Sequence, residues 1–307
     1  MDDDRFRTYC QSFLDTDYNG KVSPEEAAAV TELDLSRQDE LTSLKGIEYF
    51  TGLESLNLYF CKSLQELDLS KNTALVTLDA SYCSALTRAD ISAMPIETLS
   101  GGMFANCREL AEVVLPAGLT AIADSPFENC AKLEGLELPA TLTSIGDSAF
   151  EECTGLKSLT IPESVTAIGS RAFYNCNSLT EIKLPEGMES IGEQAFMYCS
   201  SLESMTWWPE SITTIEGSTF NSCTSMTSVT IPASVTAIGG YAFWDCNALT
   251  SVTCLATTPP AIGDGYTLLV FSDTIQDQVT LYVPVGCEQA YADLDWSFSF
   301  TNIQVIE

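Results

Sequence analysis

Ala149-Phe150-Glu151-Glu152-Cys153-Thr154-Gly155-Leu156-Lys157-Ser158-Leu159-Thr160-Ile161-Pro162-Glu163-Ser164-Val165-Thr166-Ala167-Ile168-Gly169-Ser170-Arg171-Ala172-Phe173-Tyr174-Asn175-Cys176 carries one Phe-x-x-Cys tetrad into the next. The stretch decides the fold because it recurs. The tetrads are Phe104–Cys107, Phe127–Cys130, Phe150–Cys153, Phe173–Cys176, Phe196–Cys199, Phe220–Cys223 and Phe243–Cys246, and successive cysteines lie 23 residues apart with one step of 24. After each cysteine comes a strand-like alternation, such as Leu156, Leu159 and Ile161 before Pro162. An apolar pair (Val165, Ile168), a small residue (Gly169) and the next Ala-Phe follow. Leu179, Ile182, Leu184, Pro185, Ile191, Gly192, Ala195 and Phe196 repeat that frame. A fixed period of this length marks a solenoid. One coil cannot bury its own apolar ladder, whereas coils stacked at the ~4.8 Å spacing of a parallel sheet can. The proline after each strand ends the ladder on one side, since it has no N–H to donate. The phenylalanine fills the wide end of the coil.

Working outward, an earlier zone has a shorter period. Leu53, Leu64, Leu75 and Leu86 are 11 apart and open Leu53-Glu-Ser-Leu56-Asn-Leu58, Leu64-Gln-Glu-Leu67-Asp-Leu69, Leu75-Val-Thr-Leu78-Asp-Ala80 and Leu86-Thr-Arg-Ala89-Asp-Ile91. Two such units make a turn of about 22 residues, close enough to the later period for the two zones to stack. Solenoid ends need polar caps. Residues 1–31 read as a helical N-cap, with a helix exiting over Pro24–Leu33. Residues 256–307 break the repeat and read as a C-cap, containing Thr280-Leu-Tyr-Val-Pro284, a helix over Cys287–Trp296 and a last strand at Ile303–Ile306. The expected organisation is therefore 1–31, 32–100, 101–255 and 256–307.

The frame L-x-x-[LIV]-x-[LI]-P-x-x-[LVM]-x-x-I-[GA]-x-x-A-F-x-x-C resembles the BspA-type leucine-rich repeat family. The tail Leu281-Tyr-Val-Pro-Val-Gly-Cys-Glu-Gln-Ala-Tyr291, followed by Trp296, is similar to that family's closing segment. The resemblance covers 101–307, with 32–100 as a shorter leucine-rich variant. It implies an α/β-type repeat solenoid: a right-handed leucine-rich coil with one parallel β-sheet, an irregular or short-helical convex side, a helical N-cap and a mixed C-cap. Such proteins are abundant on gut and oral anaerobes of the Bacteroidetes, often as secreted proteins or lipoproteins, and some are adhesins. The resemblance therefore implies a non-enzymatic protein at the surface of a bacterium, binding a host or bacterial protein. A glycan-binding surface protein of the same architecture is the alternative.

Composition narrows the function classes. The 307 residues carry 43 acidic and 13 basic side chains, a formal net charge of −30. That charge repels phosphate backbones and anionic membranes and favours divalent cations. The chain has no histidine. Ser-His-Asp and Cys-His catalysis, histidine-ligated zinc and imidazole acid–base chemistry are thereby excluded. No P-loop occurs, nor a Gly-x-Gly-x-x-Gly between strand and helix. No apolar run reaches the ~18 residues of a membrane span. Met1-Asp2-Asp3-Asp4 has neither the basic nor the apolar region of a signal peptide, so the chain is cytoplasmic or its targeting segment lies beyond these residues.

One motif carries specific chemistry. Asp15-Thr-Asp17-Tyr-Asn19-Gly20-Lys21-Val22-Ser23-Pro24-Glu25-Glu26 matches D-x-[DN]-x-[DN]-G-x5-E without a gap. Asp15, Asp17 and Asn19 offer side-chain oxygens, Gly20 makes the turn, Lys21 contributes its carbonyl, Ser23 acts through water and Glu26 clamps with both oxygens. Phe6, Cys10, Phe13 and Leu14 give the preceding segment helical spacing. The expected cofactor is calcium, bound weakly at ~10⁻⁵–10⁻³ M because the set has three carboxylates and no paired hand. The loop is also similar to half a dockerin. The competing reading is a metal-free cap, since Ser23-Pro24-Glu25-Glu26 is itself a helix start with Ser at N-cap, Pro at N1 and Glu at N3.

The 12 cysteines suggest disulfides, but equivalent cysteines on adjacent coils have Cβ atoms ~4.8 Å apart, beyond the ~3.5–4.5 Å a disulfide prefers. Buried, reduced thiols follow, with Cys254 and Cys287 off the ladder as the exceptions to watch. The 24-residue step inserts one residue in Leu202-Glu-Ser-Met205-Thr-Trp207-Trp208-Pro209. One tryptophan should fill the core and the other bulge outward as a binding anchor. Tyr174, Met197 and Trp244 occupy variable tetrad positions and extend this candidate ligand patch, or pack between coils. The outward strand columns Thr160, Lys183, Thr206, Thr230, Thr253 and Glu112, Ser158, Glu181, Ser204, Ser228 form a polar face with no aromatic ladder.

Overall fold

A computed structural model describes residues 3–205, 208–263, 269–272, 277–293, 296 and 299–306. The chain divides into two compact units, Met1–Leu142 and Thr143–Glu307. Both are stacks of parallel β-coils, and the register repeats the sequence period.

In the first unit, helix α1 (Asp4–Phe13) is capped by Asp3, which accepts from the Arg5 and Phe6 amides at 2.8 and 3.0 Å. The other Asp3 oxygen accepts from the Thr42 amide and hydroxyl at 2.9 and 2.6 Å, pinning the helix to the coils. Burial pushes the Asp3 carboxyl upward, but the bonds from Thr42, Phe6 and Arg5 outweigh it and hold the group below its ordinary value. Helix α2 (Pro24–Ala28) is shorter than the expected 24–33, because Leu33 belongs to the first strand, Glu32–Asp34, opposite Leu56. The 11-residue units each supply a strand, and alternate units fall in different sheets. Glu32–Asp34, Ser55–Asn57 and Thr77–Asp79 form one sheet; Glu66–Asp68, Arg88–Asp90 and Glu112–Val114 form another. The strands thus occupy several parallel sheets, where a single sheet was expected.

A further column, which the sequence pattern conceals, occurs in both units; in the first, Thr98–Leu99 aligns with Ala121–Ile122. In the second unit, the Ala-Ile pairs after the apolar position form two-residue strands: Ser144–Ile145, Ala167–Ile168 and Ser190–Ile191 align, as do Thr214–Ile215, Ala237–Ile238 and Ala261–Ile262. The main sheet runs Ser204–Met205, Ser228–Ile231, Ser251–Cys254, Thr280–Val283 and Asn302–Val305. Before it, Thr160 and Lys183 meet only as an isolated bridge. The bonds there are long, 3.3 Å from the Thr180 amide to Lys157 and 3.2 Å from the Glu203 amide to Thr180. Leu156, Leu159 and Ile161 still point inward and are buried.

At the tetrads the backbone reverses through two left-handed residues per coil, such as Ser148 (φ 53°) and Glu152 (φ 59°) around Phe150. This conformation turns amides along the stack: Ser148, Phe150 and Glu152 donate to the carbonyls of Ser170, Ala172 and Tyr174 at 2.8, 2.7 and 2.8 Å. The phenylalanines form an offset stack, with centroids 5.3 Å apart for Phe150–Phe173, 5.2 Å for Phe173–Phe196 and 5.4 Å for Phe196–Phe220. The stack continues past the last tetrad: Phe271, which the frame did not identify, lies 5.3 Å from Phe243. The glycines after Ile168, Ile191 and Ile238 are required by close approach; a Cβ on Gly192 would sit 2.4 Å from the Ser170 nitrogen.

The C-terminal cap closes this stack. Helix α3 covers Glu288–Ala292, shorter than the expected 287–296. Tyr291 donates to the Ala256 carbonyl at 2.7 Å and Trp296 Nε1 to the Pro260 carbonyl at 2.9 Å, while Trp296 and Phe300 pack on Phe271. No helix among the described residues is long and apolar enough to cross a membrane.

Candidate functional site

The cysteine ladder is free of disulfides, Cys254 and Cys287 included. Its thiols do more than fill space. Cys176, Cys199, Cys223 and Cys246 donate to the carbonyls of Phe150, Phe173, Phe196 and Phe220 at 3.1–3.3 Å, each reaching back one coil. Cys61, Cys83, Cys107 and Cys130 do the same in the first unit. Burial pushes the Cys199 and Cys246 thiols up to about 12, and Cys176 and Cys223 well above the ordinary range. Such thiols are poor nucleophiles and poor metal ligands.

The N-terminal loop lies between α1 and α2. Carboxylate oxygens of Asp15, Asp17 and Glu26 lie within 4.8 Å of one another. Backbone amides hold this geometry. Gly20 N–H donates to Asp15 at 2.7 Å, Asn19 N–H to Asp15 and Asp17 at 3.1 Å each, and Lys21 N–H to Asn19 at 2.9 Å. Tyr18 and Gly20 take the positive φ values, 56° and 83°, that make the turn. Glu26 reaches back across the loop, accepting from the Thr16 hydroxyl and amide at 2.6 and 2.7 Å. Its second oxygen accepts from the Ser23 amide at 2.9 Å, and Ser23 Oγ accepts from the Glu26 amide at 3.1 Å, a complete capping box. Bonds from the Thr16 hydroxyl, the Ser23 amide and the Thr16 amide bring the Glu26 carboxyl down to about 2. The cap and the converging carboxylates coexist. A hard cation taking oxygen ligands fits Asp15, Asp17 and Glu26, and a two-oxygen clamp by Glu26 competes with the bonds it accepts from Thr16 and Ser23.

Of the candidate ligand patch, Trp207 lies outside the described residues. Trp208 is the tryptophan that fills the core: it is 7% exposed and sits edge-on to Phe220, with centroids 5.5 Å apart at 79°. As a buried ring packed on Phe220, it is not a binding anchor. Tyr174, Met197 and Trp244 are half-buried. They share one ridge, the position after the phenylalanine. The Asn175 amide bonds to the Met197 carbonyl at 2.8 Å and the Ser222 amide to the Trp244 carbonyl at 2.7 Å.

Further residues that the sequence reading passed over flank that position, Tyr198 two residues after Phe196 and Tyr241 two residues before Phe243. Tyr198 and Tyr241 are exposed and left-handed, φ 64° and 59°. Tyr198 meets Tyr174 edge-to-face at 5.3 Å, and Tyr241 meets Trp244 likewise at 5.6 Å. Arg171 lies over the Tyr174 ring at 4.2 Å and pairs with Glu151. The first unit has a comparable cluster: Tyr59 and Phe60 stack at 5.7 Å, Tyr82 abuts both, Arg37 lies 5.2 Å from the Tyr59 ring and Lys62 lies 4.0 Å from the Phe60 ring. Arg37, Phe60 and Tyr82 also have positive φ. A bulky side chain in the left-handed region is uncommon, and Asn and Asp tolerate it better. Asn106, Asn129, Asn175 and Asp245 show that choice in other coils. The detectable signal was an aromatic where neighbouring repeats carry Asn, Asp or Ser.

Parallel coils closed by an apolar phenylalanine and leucine core define a leucine-rich repeat protein. The chain belongs to the BspA-type leucine-rich repeat family, whose repeat region matches in six copies over residues 35–134 and 120–250. Among solved structures it is similar to a leucine-rich repeat protein of T. pallidum, at 27% identity over 53% of this chain and 78% of that one, TM-score 0.49. It is also similar to a leucine-rich cell surface protein of Faecalibacterium prausnitzii, at 22% identity, 83% and 79% coverage and TM-score 0.46. A leucine-rich repeat protein of Bacteroides ovatus is similar at 25% identity, 74% and 79% coverage and TM-score 0.35. No curated protein matches the chain.

Proposed function

We propose that this chain is a non-enzymatic binding scaffold on the outside of a bacterium, recognising a protein partner of host or bacterial origin. The observation that carries the reading is the aromatic ridge of the second unit, where Tyr198 and Tyr241 stand exposed at backbone positions that favour Asn or Ser. Exposed aromatics are the residues that anchor protein interfaces. The absence of histidine and the inertness of the buried thiols support a role without catalysis. A surface location agrees with the family and with the cell-surface relative from Faecalibacterium prausnitzii.

Calcium belongs to the same proposal. Asp15, Asp17 and Glu26 hold the ion with side-chain oxygens, joined by Asn19, the Lys21 carbonyl and a water on Ser23. The ion neutralises three converging carboxylates and stiffens the loop between α1 and α2. A glycan partner is the second reading, favoured by the clustering of Tyr59, Phe60 and the exposed Tyr82 in the first unit. Binding assays against immobilised matrix proteins and a glycan array, with calcium and with chelator, test both readings. Binding to proteins alone supports the first, and binding to glycans alone replaces it with the second. Silence on both removes the binding role.

A further inference from the structure

The second unit is nearly devoid of positive charge. Its cationic side chains are Lys157, Arg171 and Lys183, and residues 184–307 contain no lysine, arginine or histidine. Arg171 is committed to Glu151 and to the Tyr174 ring, and Lys183 lies 3.8 Å from Glu163. The chain therefore covers aromatic faces with its own cations where it has them: Arg171 on Tyr174, and Arg37 and Lys62 on Tyr59 and Phe60.

Two coils beyond Tyr198 the same geometry recurs without a cation. Tyr241 occupies the left-handed position that Arg171 holds in its coil, and Trp244 occupies the position of Tyr174. Their rings stand at 89°, forming an open aromatic corner. Tyr198 gives a second exposed ring. Glu193 lies in the coil of Tyr198, Asp245 in that of Tyr241 and Trp244, and Glu216 in the coil between them, and no cation among the described residues stands over these three rings.

We infer that this ridge binds an arginine-rich segment of a protein partner, whose guanidinium groups stack on Tyr198 and in the Tyr241–Trp244 corner and pair with the surrounding carboxylates. Guanidinium suits both tasks, since its planar face stacks on a ring while its edge donates to carboxylates. Lysine fits the charge but lacks the planar face. An anionic partner would face an unopposed acidic surface. Along the stack the two anchor points are two coils, about 10 Å, apart, a rise that an extended chain spans in about three residues. The favoured partner sequence thus carries arginines three residues apart. This deepens the protein-binding reading above and rests on it.

The test is calorimetric titration of the full chain with a peptide of four Arg-Gly-Gly units, beside Lys-Gly-Gly and Glu-Gly-Gly versions. Two variants are used: Tyr198→Asn, and Tyr241→Ser combined with Trp244→Asn. Each substitution installs what another coil carries at that position (Asn175, Ser218, Asn221), and unchanged melting curves confirm folding. Net charge is the same in all three proteins. Expected are binding of the arginine peptide, weaker binding of the lysine peptide, none of the glutamate peptide, and a loss of about tenfold or more in each variant. Equal affinity in wild type and variants, or no preference for arginine over lysine, would reduce the interaction to bulk charge and overturn the inference. Binding of a neutral peptide or glycan that the arginine peptide does not displace would overturn it as well. Matrix-protein capture measured on the same variants separates the two proposals. Capture that survives them sinks this inference alone, and capture absent in wild type sinks the protein-binding reading.

Discussion

The Cys199 thiol donates to the Phe173 carbonyl, one coil back, at 3.2 Å. That contact explains why the position is cysteine and not another small apolar residue. The carbonyl is buried, and an S–H is the smallest apolar side chain able to reach it. Cys199→Ala removes one of the carbonyl's two donors and leaves it the Cys176 amide at 3.2 Å, so it should destabilise by about 0.5–1.5 kcal/mol. Denaturant unfolding measures this, and a change near zero would make the thiol simple filler.

The same burial predicts alkaline sensitivity. Cys199 and Cys246 are held near 12 when folded, by desolvation first, against about 8.5 when unfolded. A raised thiol favours the folded state below the unfolded value, and that advantage is lost as pH climbs from about 9 toward 12. The melting temperature should fall across that window. At pH 8, Cys287, the half-buried cysteine, should react with a thiol reagent well before the rest.

Phe173 stacks at 5.3 Å on Phe150 and 5.2 Å on Phe196. Phe173→Ala should cost about 3–5 kcal/mol, because neighbours held in register cannot collapse into the space. An unchanged melting curve would place the core elsewhere.

Trp208 tests the division between core and surface. Its Nε1 is buried and has no hydrogen-bond partner among the described residues. Trp208→Phe removes that orphan donor along with some packing, so stability should stay within about 1 kcal/mol of wild type, with ligand capture unchanged. Loss of capture would return this residue to the binding surface.

The loop predicts a calcium response with a pH signature. Calcium should raise the melting temperature of the wild type and leave Asp15→Ala unmoved. Glu26 titrates near 2, held by Thr16 and Ser23. Its depressed value favours the ordered loop above the unfolded carboxyl range, and this contribution is lost as pH falls through about 2. The amide signals of Thr16 and Ser23 in calcium-free protein should therefore stay fixed from pH 7 to 4. Movement near pH 4.5 would show the clamp is absent.

The coil period was legible because every tetrad carries the same Phe and Cys. The registers Ser55↔Thr77, Ala167↔Ser190 and Ser204↔Ser228 reproduce its steps of 22, 23 and 24. The Ala-Ile strands were not legible, since two residues are too short to show alternation. Phe271 was hidden by the longer step to Thr280 and by the loss of the cysteine that marks the frame. Leu33 fits both a helical and a strand pattern, so the pattern alone does not end α2 at Ala28. In Trp207-Trp208 an inserted residue breaks the alternation, so the pattern alone cannot assign the inward ring. The ridge residues Tyr198 and Tyr241 escaped because their backbone conformation, which makes a tyrosine there unexpected, is invisible without coordinates.

The most direct test of the account is capture of immobilised extracellular matrix proteins by wild type and by the Tyr198→Asn and Tyr241→Ser/Trp244→Asn variants, at matched melting temperature. The account predicts saturable capture by wild type and its loss in the variants. Capture undiminished in the variants, or absent from wild type, would contradict it.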